Sequence, residues 1–501
     1  MSLFLGIDFG TSTNVVTCWK SEKKVAEPVP LGEYGSPNIF PNVIYYESVS
    51  NKIVGDIAVE RGKTDPDNAV FAIKRRLESP NFQQYIPALG RNVGSEEVTA
   101  DIFSWIKENV ERKFGGQSVD GVVISVPFAF QNRERKRIER AAKRAGLQVL
   151  GLIEEPVAAA LSFGLIGQTE RGRAEKILVF DLGGGTFDVT IFDFQKQSDR
   201  QFSVRVITTD GAKKLGGIDI DDMIVDKIVA KMNEQFADYS LETRPSTVQE
   251  NDVFKMRQRA IELKESLSVE DFSSLLFTSN ISDDFYLDED VSRDEFDDWL
   301  KFFLTKIENV LDSALSDADL EPKNIDRIIM VGGTSNIPTI NEKVRDYFGK
   351  EPEHVRDLTL MVGEGAGIYC GLKYVDKVLD CDIAVGVSQT VGLKWRGRFL
   401  EMLPRNTLYG KSSDLQVLSL PAGTKNISVP VVQGNRINNV KIGSVPISSE
   451  TRQKLLDGKV GIKLNTDANN GTVGYELYRM ISRNGQLEAE NLLVSDKAEE
   501  E

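Results

Sequence analysis

The stretch from Lys176 to Ile191 constrains this chain more than any other. Ile177 to Phe180 is an apolar strand that runs into an acid, Asp181. Gly183, Gly184 and Gly185 follow, then Thr186 and a second apolar strand from Phe187 to Phe192. The pattern predicts a hairpin with a glycine-rich bend. Glycine lets the backbone approach a ligand closely and turn its N–H groups outward, and such a nest of amides suits an anion, above all phosphate. Asp181 would repel a phosphate unless a divalent cation sat between them. Taken alone, the stretch leaves open a glycine-rich hairpin in an ordinary sheet protein.

Residues Leu3 to Thr13 repeat the order: an apolar strand, Asp8, Phe9, Gly10, then the hydroxyls Thr11, Ser12 and Thr13. Two strand–Asp–x–Gly hairpins far apart in one chain point to a duplicated fold, with two loops gripping one polyphosphate from opposite sides. Asp8 and Asp181 end apolar strands, which is not where ordinary surface acids sit. They are the candidates to hold magnesium, largely through water. Backbone amides from Gly10 to Thr13 and from Gly183 to Thr186 would hold the phosphates.

A length of 501 residues exceeds what one core usually supports, so two to four domains are expected. A formal net charge of −15 argues against sequence-independent nucleic-acid binding. The basic run from Arg133 to Arg144 is then read as a solvated helix face. Cys18, Cys370 and Cys381 show no disulfide framework and no metal-ligand spacing, which fits a reducing compartment. His354 is the single histidine, so His-based triads and His-rich metal sites are excluded. No apolar run is long enough to span a membrane, and no charged region precedes the strand that begins at Leu3. The expectation is a cytoplasmic protein without a membrane or nucleic-acid partner.

Along residues 1–374, strands and helices alternate as in an α/β domain. Residues 375–383 read as a linker. Beyond them period-two strands dominate: Leu415 and Val417, then Ile427, Val429 and Val431, then Val460, Ile462 and Leu464, then Val473, Tyr475 and Leu477. Asn469-Asn470-Gly471 is a hairpin signal. Residues 384–494 therefore predict a β-sandwich, and 495–501 an acidic tail.

Phe180 to Val189, Gly6 to Thr11 and Val331-Gly332-Gly333-Thr334 resemble the two phosphate loops and the adenosine loop of the actin-like ATPases. With Ala72 to Leu77, Ser125-Val126-Pro127, Glu155 to Ala160, Leu215 to Asp219, Leu403 to Thr407 and Asp467 to Gly471, nearly the whole chain is similar to the seventy-kilodalton heat-shock chaperones. The resemblance implies a two-lobed actin-like ATPase domain followed by a β-sandwich that binds extended apolar segments of unfolded polypeptide. It implies ATP and ADP with magnesium as cofactors, and slow hydrolysis of ATP to ADP and phosphate. By the same resemblance Lys74 orients the attacking water and Glu155 senses the nucleotide and positions water. Thr186 contacts the γ-phosphate. Asp188 holds water or a monovalent cation such as potassium. Gly216, Gly217, Gly332 and Gly333 admit ribose and the α-phosphate, and Lys264 and Ser268 hold ribose and base. Phe399, Leu418, Ile427 and Val429 stand near the peptide pocket, with sandwich core as their alternative reading.

The sequence departs from the family pattern in ways that matter. Glu265 and Asn336 stand where arginines are expected beside adenine, which removes two stacking partners. Gly151 replaces the arginine that J-domain co-chaperones use. Asp380 and Asp382 interrupt a linker that is usually apolar. A weak response to J-domain partners and exchange factors is expected, and so is a sandwich without the helical lid that usually follows it in the family. Two other functions compete: a nucleotide-clamped regulatory module, and a filament or kinase relative on the same core. The sandwich speaks against the filament or kinase reading. Retention of Lys74, Glu155 and Thr186 together speaks for hydrolysis.

Overall fold

The computed structural model describes residues 2–497 except 34–35, 78, 80, 129, 167–171, 199–200, 242–245, 354–357, 378–382, 385–386, 388, 406, 422–425, 436–438 and 484–485. His354, Cys381 and the linker acids Asp380 and Asp382 lie outside the described residues.

Both predicted hairpins form, and each seeds a sheet. In the first, Leu3–Phe9 pairs antiparallel with Thr13–Lys20, and Asp8 lies opposite Val15. In the second, Ala174–Leu182 pairs antiparallel with Thr186–Ser198, and Asp181 lies opposite Asp188. The surroundings repeat as well. Each hairpin adds a third antiparallel strand, Val25–Pro28 in one and Gln201–Lys213 in the other. Each first strand takes a parallel neighbour, Val119–Val126 or Arg327–Val331. This is the duplication that the sequence implied. Each sheet has its own core, one around Phe9, Ile102 and Ile124 and the other around Phe180, Ile224 and Phe296.

Two helices lie between the sheets. Glu155–Ile166 packs on Leu358–Cys370 through Val157 to Leu161 and Met361 to Ala366. Their backbones touch. A Cβ on Gly365 would fall inside the Ala158 carbonyl group. Glycine at 365 is therefore a packing requirement of this helix pair. Among the described residues no helix is long and apolar enough to cross a membrane.

The C-terminal strands form two four-stranded sheets. One contains Val391–Trp395, Arg398–Leu403, Ile427–Gly434 and Asn439–Ile447. The other contains Gln416–Ser419, Lys459–Thr466, Val473–Arg483 and Gln486–Lys497. The last strand corrects one expectation: Ser495, Asp496 and Lys497 pair with Glu476, Tyr475 and Gly474 and belong to the sheet, not to a tail. A second difference lies at the linker. Ile383–Ala384 adds a short parallel strand to the edge of Gln201–Lys213, so this segment is docked on the second lobe.

The third difference is the largest. The helix Asn132–Arg144 carries the basic run read as solvated, yet Glu134, Arg135, Lys136, Arg137 and Glu139 are all buried. The sandwich covers it. Arg135 pairs with Glu154 at 2.9 Å and donates to the Asn470 carbonyl at 3.2 Å. The Tyr409 hydroxyl donates to Glu154 at 2.9 Å. Asn132 accepts from the Val473 amide at 2.8 Å, and Leu152 donates its amide to the Asn469 carbonyl at 3.2 Å. A helical charge pattern reports polarity along the helix but not whether water or a distant sheet supplies the partners.

Two substitutions test these contacts. Gly365→Ala should cost roughly 3 kcal/mol or more of stability, because neither backbone can yield; urea unfolding measures it, and an unchanged midpoint would show that the helices can separate. Arg135→Ala leaves Glu154 buried without its cation, at a cost of about 3–5 kcal/mol. Small-angle scattering should then show a larger radius of gyration as the sandwich comes away.

Candidate functional site

The two glycine loops face each other across a cleft of about 690 Å³, within the range of small-molecule sites. Their approach is as close as backbone allows. A Cβ on Gly184 would collide with the Ser12 hydroxyl, and one on Gly185 with the Thr11 side chain.

Each loop is held from behind by its carbonyls. Gly10 O accepts from the Asn42 side-chain amide at 2.5 Å, and Ser12 O from the Asn42 backbone amide at 2.7 Å. Gly183 O accepts from the Thr334 hydroxyl at 2.9 Å and the Gly217 amide at 3.0 Å. Gly184 O accepts from the Ile218 amide at 2.8 Å, and Gly185 O from Arg75 at 2.8 Å. The Gly183 amide closes the hairpin onto Thr186 O at 3.1 Å, and with the carbonyls occupied the amides of Gly184 and Gly185 are left to the cleft, the arrangement an anion needs.

Charge is distributed unevenly below the loops. Lys74 and Glu155 are buried and bonded, Nζ to Oε1, at 2.5 Å. Asp8 accepts a hydrogen bond from the buried Ser125 hydroxyl at 2.5 Å. Burial, with Glu155 nearby, pushes the Asp8 carboxyl up to about 6, against the pull of Lys74 and Ser125. Burial also raises Asp181, and the neighbouring charges of Glu155, Asp188 and Asp8 act in the same direction. Three carboxyl groups thus share one ammonium. A site short of positive charge in this way suits a cation, and the amide cradle beside it suits phosphate. Among the described residues no three Asp, Glu, His or Cys side chains converge as a ready-made metal cage. A cation here would take most of its ligands from water and phosphate, as magnesium does.

The cleft gathers Asp8, Gly10, Thr11, Ser12, Thr13, Lys74, Glu155, Asp181, Gly183, Gly184, Gly185, Thr186, Gly217, Lys264, Ser268, Gly332 and Gly333. Gly216 stands just behind it, against the Gly184 backbone. Asp188 departs from expectation. It is buried opposite Asp181, but it lines a separate cavity of about 390 Å³ shared with Thr209, Gln389 and Arg405. The cross-strand register puts it beside Asp181 without bringing it into the cleft wall. In the sandwich, Leu418 and Val429 are buried in the core and Ile427 packs against it half-buried. Leu418 and Val429 turn inward, while Ile427, on the same face as Val429 but at the start of its strand, and Phe399 are only half-buried.

Sequence reasoning missed Asn42, Ser125, Arg75 and Thr334. Ser125 and Arg75 lie inside recognised motifs, where their neighbours drew attention. Asn42 gives no signal at all, because its role depends on where the strand after Pro41 meets the first loop. At the base end, Lys264 pairs with Asp221 at 2.6 Å, and the Asn336 amide donates to Gly333 O at 3.1 Å. Glu265 and Val269 complete that wall.

Two duplicated sheets, two crossing helices and opposed glycine loops over a carboxylate cluster define an actin-like fold built around a polyphosphate cleft. The chain belongs to the Hsp70 family, whose model, described as Hsp70 protein, matches residues 4–473. Among curated relatives, a protein named chaperone protein dnaK from Emiliania huxleyi is 30% identical, over 87% of this chain and 70% of its own length. Chaperone protein DnaK of Deinococcus deserti is 27% identical, over 100% of this chain and 81% of its own. Heat shock 70 kDa protein 6, chloroplastic, of Arabidopsis thaliana is 28% identical, over 93% of this chain and 66% of its own. Members of the family are chaperones that bind ATP and ADP with magnesium.

The base end yields a prediction. One stacked guanidinium is worth on the order of 1 kcal/mol. Glu265→Arg should therefore tighten ATP binding by roughly fivefold and raise the preference for ATP over GTP. Calorimetry with both nucleotides checks it. Strong, exclusive ATP binding before the substitution would show that other residues supply the selectivity.

Proposed function

We propose that this protein is an ATP-driven chaperone that hydrolyses ATP in the cleft and binds extended apolar peptide on its sandwich. The observation that carries this reading is the buried Lys74–Glu155 pair beside Asp8 and Asp181, under two opposed amide loops. Hydrolysis of a phosphoanhydride is mostly positioning and charge neutralisation. The loop amides and the Thr186 hydroxyl would hold the β- and γ-phosphates. Lys74, fixed by Glu155, would donate to the attacking water and keep its lone pair toward phosphorus, and Glu155 would accept a proton from that water. Asp8, oriented by Ser125, and Asp181 would hold magnesium through its waters. Magnesium, when bound, neutralises the charge shared by the β- and γ-phosphates. Each carboxyl must lose its proton to serve the cation, so binding of magnesium and nucleotide should release protons as the pH falls toward about 6.

Lys74→Ala tests the mechanism. Turnover should fall by two orders of magnitude or more, the scale of general acid–base and positioning effects, while nucleotide still binds. Unchanged turnover would remove Lys74 from the chemistry. On the sandwich, Ile427→Asp in the full chain should weaken binding of Leu- or Val-rich heptapeptides, expected at micromolar affinity, roughly −8 kcal/mol. Fluorescence anisotropy reads it, and an unaltered affinity would move the peptide groove elsewhere. The division into a nucleotide-binding unit, residues 1–374, and a peptide-binding unit, residues 384–494, belongs to the same proposal.

A further inference from the structure

Lys74 and Arg75 are neighbours on the short helix Ile73–Arg76, yet their side chains serve different lobes. Lys74 reaches Glu155 at 2.5 Å, on the cleft floor with Asp8. Arg75 crosses to the second lobe. Its guanidinium donates to the Gly185 carbonyl at 2.8 Å and to Asp219 Oδ1 at 3.3 Å, and the ion pair with Asp219 is completed through Oδ2. The helix itself belongs to the first lobe, because Ile73 and Leu77 are fully buried in the core around Phe9 and Ile124. Ala72, which precedes the helix, has a φ of +50°. An alanine keeps that left-handed conformation only where the surrounding structure holds it there.

Both acceptors of Arg75 belong to the support of the second phosphate loop. Asp219 lies in the first turn of Gly217–Gln235 and accepts from the Gly216 amide at 2.9 Å. Gly216 in turn lies against the backbone of Gly184 and Gly185. Gly185 O belongs to the planar peptide unit that joins Gly185 to Thr186, so a bond to this carbonyl also fixes how that unit is turned. One guanidinium thus holds the loop directly and again from behind. The rigid fork of arginine serves a carbonyl and a carboxylate at once, a geometry that the single ammonium of lysine does not reproduce.

We propose that Arg75 is a positioning residue for the cleavage step: it holds the Gly185–Thr186 unit of the second lobe in register with Lys74 of the first, so that both meet the same phosphate. The proposal rests on the hydrolysis reading above. The lobes keep another contact across the cleft without it, the Phe71 ring against Phe254 at 5.2 Å. Closure and nucleotide binding should therefore survive loss of the arginine, whereas the alignment of Lys74 with Thr186 should not. A misplacement of about 1 Å can cost roughly 100-fold in rate.

The test uses the full chain with magnesium and ATP. In Arg75→Ala, single-turnover cleavage followed by quenched flow should slow by roughly 10- to 100-fold, while the ATP dissociation constant from calorimetry changes by less than about threefold. Arg75→Lys should remain slow, and millimolar ethylguanidinium should restore cleavage in Arg75→Ala at least about fivefold. A cleavage rate that does not fall, full activity in Arg75→Lys, or a loss that lies wholly in ATP affinity overturns the assignment. So does a failure of ethylguanidinium to raise the rate, since a merely structural loss would not respond to it. If Arg75→Ala does not fold by circular dichroism, Arg75→Lys decides through the same split between rate and affinity. Absence of cleavage in the unaltered chain would reject the hydrolysis reading instead. Hydrogen exchange in the peptide containing Gly183 to Thr186 then decides: faster exchange in Arg75→Lys supports the hold on the loop, and unchanged exchange overturns it.

Discussion

The structure depends on one close approach. Gly184 and Gly185 lie against Ser12 and Thr11, with no room for a side chain at either glycine. This contact sets how near the two lobes stand and hence the width of the cleft. The helices behind the loops obey the same rule, since Gly365 meets the Ala158 carbonyl group with nothing between them. Interiors are close-packed and shift as rigid bodies more readily than they deform. Small changes at the loops are therefore expected to move whole lobes.

Electrostatics gives that geometry its purpose. The carboxyls of Asp8, Asp181 and Glu155 stand near one ammonium, in a buried region where an unpaired charge is expensive. A cation and a phosphate bound there would relieve that imbalance together. Structural ion pairs elsewhere in the protein, such as Arg135 with Glu154, already have their partners within the chain. The cleft cluster differs in having too few.

The same buried pair connects the cleft to the sandwich. Glu154 turns toward Arg135 and Tyr409, while the next residue, Glu155, turns toward Lys74. Two adjacent side chains on one backbone therefore report to two different surfaces. Cleft and sandwich thus share one backbone support at the end of Val149–Glu154.

Much of this was legible in the residue order. Apolar strands ending in Asp8 and Asp181, followed by glycines and hydroxyls, carry their own local instructions, because strand, turn and amide nest are short-range structures. The alternating strands of the sandwich are legible for the same reason, as the inward turn of Val429 and Val431 shows, although in the first of them Leu418 and Leu420 are buried where the pattern pointed to Leu415 and Val417. What the sequence could not express is partnership at a distance. The charged residues of Asn132–Arg144 read as wet because their partners, Asn470, Tyr409 and Glu154, come from elsewhere in the chain. Asn42 became a support of the first loop, and Asp188 came to line a separate cavity beside Asp181, only when separate strands came to lie side by side. Local chemistry is written in consecutive residues; burial and pairing across the fold are decided by packing, and packing belongs to the tertiary structure.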